Sequence, residues 1–157
     1  MPRKSRIISI PKEQEEIIRK SECCYVGMVD ENNNPYVLPF NFGYKDQCIY
    51  LHSAPNGKKI DILKKNNRVC LAFSIDHELF AQNKDVACSY SMGYKSVICY
   101  GKVEFIEGFE NKVEALNIFM QQYTQRDFKY SVPAVNNVMV YKVVIDKMTG
   151  REFGNLP

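Results

Sequence analysis

Residues 49–69 read IYLHSAPNGKKIDILKKNNRV, which predicts a strand, a turn, a short helix and the start of another strand. The strand covers 49–52, the turn covers 53–57, and Lys58 and Lys59 open the helix. A helix N-terminus carries unpaired N–H groups and the positive end of the helix dipole, so this turn and its two lysines form a candidate phosphate site. The alternative is a solvated, lysine-rich surface, and the residues alone leave both open.

Strands and helices are also predicted on both sides of this stretch. Strands are expected over residues 23–29, 36–44, 68–75, 95–105 and 138–145, a short strand or extended segment over 86–91, and helices over 11–22 and 110–123. Pro39 predicts an edge strand, a bulge or an interrupted ladder, Gly101 predicts a bulge or bend, and residues 76–85 are expected to be irregular. About six strands with short connections favour an antiparallel, closed or nearly closed barrel, with a β-sandwich as the alternative.

Composition fits an ordinary globular domain. The chain has 157 residues, of which 45% are apolar and 25% are charged. One domain over residues 1–157 is predicted, because no repeat, low-complexity tract or linker interrupts the chain. Residues 1–10 are a basic leader, expected to be mobile or to lie on a partner subunit as an arm, and residues 148–157 are expected to be a polar tail.

Several classes of protein are excluded by what the chain lacks. A net charge of +3 is too small to argue for nucleic-acid binding. The apolar run before Pro11 is too short for a signal peptide, and no stretch approaches the roughly 18 apolar residues of a membrane span, so a soluble cytoplasmic protein is expected. The motifs of P-loop nucleotidases, Rossmann enzymes, zincins and α/β-hydrolases are absent.

Cysteine and histidine offer little for a metal site. The six cysteines include no C-x-x-C pair, and His52 and His77 are the only histidines. Most cysteines lie in apolar strand-like runs, which favours free buried thiols over disulfides or metal ligands. His52 ends a strand and is either structural or an acid–base group. Lys95 and Ser96 begin a long strand and offer a cation and a hydroxyl, or simply an exposed strand start.

Two segments together carry a family resemblance. Residues 38–73 read LPFNFGYKDQCIYLHSAPNGKKIDILKKNNRVCLAF, and residues 89–104 read SYSMGYKSVICYGKVE. The order of Pro-Phe strand, strand ending in His, Gly-Lys-Lys helix start and Tyr-Lys-Ser-Val strand start resembles the FMN-binding split-barrel flavoproteins related to pyridoxamine 5′-phosphate oxidase. Within them, the chain is most similar to the branch that contains the nitroimidazole-resistance (Nim) proteins. The resemblance covers residues 11–147.

This resemblance implies a fold, a cofactor and a set of site residues. The fold would be a mainly β, six-stranded antiparallel split β-barrel with a few flanking α-helices, and the protein would be a homodimer with FMN at the interface. Lys58 and Lys59 match the pair that meets the FMN phosphate, and His52 and Ser53 match positions beside the flavin. The strand along the isoalloxazine ring, which acts through its backbone, matches Leu38, Pro39, Phe40 and Asn41. Lys95 and Ser96 match a pair that holds the cofactor from the other subunit.

Two departures argue against pyridoxamine 5′-phosphate oxidation. The strand over residues 36–41 lacks the basic residues with which the oxidase reaches the phosphate, and residues 151–157 lack its Arg and His pair for the vitamin substrate. The resulting hypothesis is an FMN-dependent oxidoreductase, nitroreductase-like, with a small-molecule electron donor and acceptor, no nucleic-acid or membrane partner, and His52 in substrate binding or proton transfer. The alternatives are a non-catalytic flavin-binding, flavin-storage or sensor protein and, more weakly, a barrel that binds single-stranded nucleic acid.

Overall fold

A computed structural model describes residues 4–154, which form one antiparallel sheet of eight strands with four helices. The strands are β1 (Lys4–Ile8), β2 (Cys24–Val29), β3 (Pro35–Phe40), β4 (Gly43–Lys45), β5 (Cys48–Ser53), β6 (Arg68–Ala81), β7 (Tyr90–Ile106) and β8 (Met139–Gly154). The helices are α1 (Pro11–Lys20), α2 (Lys58–Lys65), α3 (Phe109–Gln121) and α4 (Val132–Asn136), and a 3₁₀ turn covers Ala87–Ser89. Within the described residues, no helix is long and apolar enough to cross a membrane.

The sheet follows the order β3-β2-β6-β7-β8-β5-β4, and β1 pairs with β8 beside this path. The expectation of a mainly β, antiparallel fold is therefore confirmed, but the count of six strands is wrong. One additional strand arises because the predicted strand over 36–44 breaks at 41–42 into β3 and β4. The break coincides with Gly43, whose missing Cβ lets the chain pass against the backbone of Phe119 on α3.

The position of Pro39 agrees with its chemistry. Proline donates no backbone hydrogen bond, so it is tolerated at a sheet edge. Pro39 of β3 lies opposite Tyr25 of β2, and β3 pairs with β2 alone in the described part of the chain. The bulge expected at Gly101 is also present, since the β7–β8 register shifts between Tyr100 and Gly101.

The segment expected to be irregular is mostly strand. β6 continues to Ala81 because its register shifts between Ile75 and Glu78, which restores pairing with β7 beyond the shift. Asp76 lies at this bulge with a φ of 55°, a left-handed conformation that is uncommon outside glycine. The short strand expected over 86–91 is instead a 3₁₀ turn followed by the start of β7 at Tyr90.

Both chain ends also differ from expectation. The basic leader, expected to be mobile or to lie on a partner subunit, contains β1, whose Arg6 contacts Glu152 of β8 at 2.8 Å and Glu13 of α1 at 3.0 Å. The expected tail over 148–157 is strand as far as Gly154, where it pairs with β1 and β7. The tail is polar because alternate residues of a strand face solvent. Residues 1–3 and 155–157 lie outside the described residues.

The strands bury their apolar residues on one side of the sheet. Alternate residues of β2 are buried, and their partners on β6 and β3 face the same side. This interior is formed by residues that include Val26, Leu51, Leu71, Phe73, Cys99, Tyr141 and Val143, all at most 2% exposed. Helix α1 closes part of it with Ile17 and Ile18. The opposite side of β3, β2, β6 and β7, hereafter the outer face, carries the exposed residues of these strands.

Candidate functional site

The turn before α2 leaves a helix N-terminus without a side-chain cap. Gly57 adopts φ 129° and ψ 172°, a conformation open to glycine and costly for other residues. Its carbonyl accepts the N–H of Asp61 at 3.1 Å, which starts the helix. Within residues 4–154, no side-chain hydrogen bond caps this helix start, and the N–H groups before Asp61 carry the positive end of the helix dipole.

Lys58 connects this helix start to β3. Its Nζ lies 4.4 Å from the centroid of the Tyr36 ring, a cation–π contact. Tyr36 is in β3, so the contact fixes the first turn of α2 beside the edge strand. Lys59 is partly buried in the same turn. Two cations and uncapped N–H groups therefore lie together at one end of β3.

Ser53 is linked through Tyr141 to Phe40, which lies at the other end of β3 from Tyr36. The buried hydroxyl of Tyr141 donates to Ser53 Oγ at 3.2 Å, and Ser53 Oγ donates to the carbonyl of Ala54 at 3.0 Å. The Tyr141 ring also meets the Phe40 ring nearly at right angles, with centroids 6.4 Å apart. Burial raises the pKa of Tyr141 to about 12, so its hydroxyl stays protonated and remains a donor to Ser53.

The two sides and the free edge of β3 have different roles. Leu38 and Phe40 lie opposite Val26 and Cys24 and face the interior, whereas Pro39 is exposed on the outer face. Asn41 is exposed just beyond the strand. Because β3 pairs with β2 alone among the described strands, the backbone N–H and C=O groups of its other edge have no strand partner there.

His52 does not join this group. Successive residues of a strand point to opposite faces, and Ser53 faces Tyr141 whereas His52 packs against Phe119 of α3, with ring centroids 4.5 Å apart. Burial lowers the pKa of His52, so the imidazole is neutral near pH 7. The structure thus places His52 under α3, on the side of β5 opposite to Ser53.

Lys95 and Ser96 lie at another part of the sheet. Lys95 Nζ is 3.6 Å from Asp76 and 3.8 Å from Glu152, and Ser96 lies opposite Ser74. Tyr36 is level with Gly101 on β7, as the register of the intervening strands shows. Lys95 is six residues before Gly101, or about 20 Å along the strand, so one copy of the chain does not bring it to Lys58.

Two contact residues were missed in the sequence. Tyr36 supplies the ring beneath Lys58, and Tyr141 holds Ser53. The aromatic content of the strands was the only available signal for Tyr36. Tyr141 meets Ser53 only because β8 pairs with β5, and this pairing joins residues 88 positions apart that no local spacing connects.

The fold and much of the sequence match solved structures. The chain is 48% identical to a candidate 5-nitroimidazole antibiotic resistance protein from Bacteroides thetaiotaomicron, with a TM-score of 0.86 over 98% of this chain and 90% of that chain. The flavocytochrome Anf3 from Azotobacter vinelandii is 19% identical, with a TM-score of 0.79 over 96% and 70% of the two chains. A FAD-binding protein from Mesorhizobium loti is 22% identical, with a TM-score of 0.68 over 94% and 97%.

These matches agree with the resemblance inferred from sequence. The Bacteroides match confirms similarity to the nitroimidazole-resistance branch, and the two more distant matches support the fold alone. A comparison with curated proteins finds no match. The family model described as pyridoxamine 5′-phosphate oxidase matches residues 11–152, and the chain therefore belongs to the pyridoxamine 5′-phosphate oxidase-like family of split-barrel proteins.

Proposed function

We propose that this protein binds FMN and is an oxidoreductase that moves electrons between a small-molecule donor and acceptor, with nitro compounds among the acceptors. The observation that carries the proposal is the contact of Lys58 with Tyr36 of β3, beside an α2 N-terminus that has no side-chain cap within the described residues. Membership of the family supports the flavin. The description of the Bacteroides relative supports the acceptor class.

The α2 N-terminus fits a phosphate group. Uncapped N–H groups donate to anions, and Lys58 and Lys59 add two positive charges to the same turn. Lysine is slightly unfavourable at the positive end of a helix, and a bound dianion would remove that penalty. The Tyr36 ring restrains Lys58, which lowers the entropy lost when the ammonium group meets a phosphate.

The edge of β3 fits a planar ring with hydrogen-bonding groups. Its free N–H and C=O groups would bind the polar edge of an isoalloxazine, with Leu38, Pro39, Phe40 and Asn41 as the strand concerned. The Tyr141 hydrogen bond would hold Ser53 in place beside it. When bound, the flavin would supply the one- and two-electron chemistry, and the protein would supply position and electrostatics.

A homodimer would complete the site. Lys95 and Ser96 lie too far from Lys58 to act with it in one copy, so a second copy would have to supply them. The outer face suits such a contact, because Val37 of β3, Tyr25 of β2 and Tyr100 of β7 are 59%, 53% and 45% exposed on it. Exposed apolar groups gathered on one face are typical of protein–protein interfaces.

The cytoplasm is the proposed location. All six cysteines are free thiols, which suits a reducing compartment. His52 stays the sequence-based prediction for substrate binding or proton transfer, although its place under α3, across β5 from Ser53, weighs against that role. Replacing it with Ala would then lower turnover while the FMN content stays unchanged, and unchanged turnover of every reducible substrate would rule the role out.

The alternative is a flavin-binding protein without catalysis, for storage or sensing. It is favoured by the packing of His52 against Phe119, away from Ser53 and Lys58. Anaerobic addition of NAD(P)H to the purified protein, followed by a nitro compound, separates the two. Bleaching and recovery of the flavin absorption support the oxidoreductase. A flavin that stays oxidised supports the alternative, and a colourless protein that takes up no added FMN contradicts both.

A further inference from the structure

A groove lies on the outer face, between the end of α1 and strand β6. It has a volume of about 560 Å³, within the range of small-molecule sites. Its lining includes Lys20, Cys23, Tyr25, Ala72, Ser74 and His77. None of these residues belongs to the candidate site around Lys58 and Ser53.

The β6 bulge places a histidine at this groove. The register shift between Ile75 and Glu78 takes Asp76 and His77 out of the regular ladder, and Asp76 adopts a left-handed φ of 55°. His77 Nε2 is then 2.9 Å from Ser74 Oγ, which fixes the imidazole at the groove. Bulges re-aim side chains next to functional sites, and a strained non-glycine residue persists where the surrounding structure holds it.

The groove adjoins the strand proposed to hold the flavin. Tyr25 lies opposite Pro39 of β3 on one side and opposite Ala72 of β6 on the other. Neighbouring strands are about 4.8 Å apart, so the floor of the groove begins one strand from β3. The carboxylate of Asp76, in the same lining, is 3.6 Å from Lys95, which is proposed to meet the cofactor of the second copy.

The lining suits a small planar heteroaromatic compound. Tyr25 is 53% exposed, and Ala72 beside it is small, so these two residues leave an apolar place for a ring within a mostly polar lining. Lys20 offers a hydrogen-bond donor at the rim, as does His77 Nδ1 when Ser74 Oγ donates to its Nε2, and Glu22 and Asp76 are the carboxylates of the lining. No cluster of metal-binding side chains exists in residues 4–154.

We propose that this groove binds the electron acceptor, a neutral planar heteroaromatic compound with a nitro or carbonyl oxygen, and that His77 is its hydrogen-bond partner. The proposal rests on the proposed function, because the acceptor would take its electrons from the flavin beside β3. His77 would act as a positioning residue that binds the acceptor. A second copy over the outer face would enclose the groove and exclude water from it.

The test measures binding of 2-methyl-5-nitroimidazole by equilibrium dialysis, with FMN added and without it. His77→Ala is expected to weaken binding about fivefold, the loss of one hydrogen bond, while the melting temperature and FMN content stay unchanged. His77→Gln keeps a donor and should stay within about twofold of the parent. Ala72→Leu fills the floor of the groove and should weaken binding as well. Lys129→Ala, an exposed change in the loop between α3 and α4, is the control and should bind like the parent.

The outcomes separate this proposal from the proposed function. A protein that takes up no FMN contradicts the proposed function, whatever the dialysis shows. The proposed acceptor site is contradicted if the parent, His77→Ala and Ala72→Leu bind the nitroimidazole equally well. It is also contradicted if the parent protein binds no nitroimidazole. Weakened binding in both variants with unchanged FMN content supports it, because a structural defect would also lower the melting temperature or the FMN content.

Discussion

The hydroxyl of Tyr141 donates a hydrogen bond of 3.2 Å to the hydroxyl of Ser53, across the pairing of β8 with β5. Tyr141 is completely buried, and the bond joins the barrel interior to the end of the strand that leads into α2. The core therefore sets the position of a side chain in the candidate site. Removal of the Tyr141 hydroxyl should therefore lower both the stability of the fold and the affinity of the candidate site for FMN.

Tyr141→Phe removes this bond and keeps the ring. The free energy of unfolding should fall by about 1 kcal/mol, the usual net value of one hydrogen bond. FMN affinity should also fall by a few-fold, because Ser53 loses its restraint. Urea unfolding and FMN titration measure the two effects. Tyr50→Phe is the matched control, since no hydrogen bond of the Tyr50 hydroxyl exists within the described residues, and a loss of the same size there would contradict the assignment.

Lys59→Ala should act in opposite directions on stability and on binding. In the FMN-free protein the lysine lies at the positive end of α2, so its removal should raise the free energy of unfolding by about 0.3–1 kcal/mol. FMN affinity should fall about tenfold, because a charge-assisted contact to the phosphate is lost. Lys64→Ala, in the last turn of the same helix, is the control. An equal loss of affinity in both variants would place the phosphate elsewhere.

The neutral state of His52 predicts a pH dependence of stability. Burial lowers its pKa in the folded protein below the usual 6.5. The unfolded chain therefore binds a proton more readily, and protonation favours unfolding. Stability from this group should be complete above about pH 6.5 and should decline as the pH falls from there toward the folded pKa. His52→Phe keeps an aromatic ring against Phe119 and should flatten this part of the profile, measured by urea unfolding between pH 5 and 8. Identical profiles would show that the His52 site is open to water.

The local pattern of the chain predicts its elements better than their extent. Pro39 at an edge and Gly101 at a bulge follow from the chemistry of single residues, and the Gly-Lys-Lys motif marks the start of α2. The strand β1 begins with three polar residues, and residues 146–152 at the end of β8 are mostly polar, so neither shows the apolar–polar alternation that predicts a strand. They are strands because each pairs with the other, through contacts such as Arg6 with Glu152, 146 positions apart.

The candidate site shows the same limit. The Gly-Lys-Lys helix start is visible as a motif because its parts are adjacent in sequence. The face on which His52 lies, the tyrosine that holds Ser53 and the bulge that places His77 at its groove all depend on strand pairing and register. A shift of one residue in register would exchange the two faces of β5 and bring His52 to Tyr141 in place of Ser53.

The outer face supplies a direct test of the proposed homodimer. Val37 is 59% exposed beside Gly27 of β2, so Val37→Glu should change the stability of one copy by no more than about 0.5–1 kcal/mol. In a dimer the same carboxylate would be buried without a partner, which costs several kcal/mol. Analytical ultracentrifugation should therefore show a dimer for the parent and a monomer for Val37→Glu. The FMN affinity of Val37→Glu should fall as well, because Lys95 and Ser96 of the second copy are lost.

Val132→Glu is the control for this prediction. It lies at the start of α4, 54% exposed and away from the outer face, and should remain dimeric. A parent that sediments as a monomer while it binds FMN tightly would refute the two-copy site, and Lys58 with the β3 edge would then be sufficient to hold the cofactor.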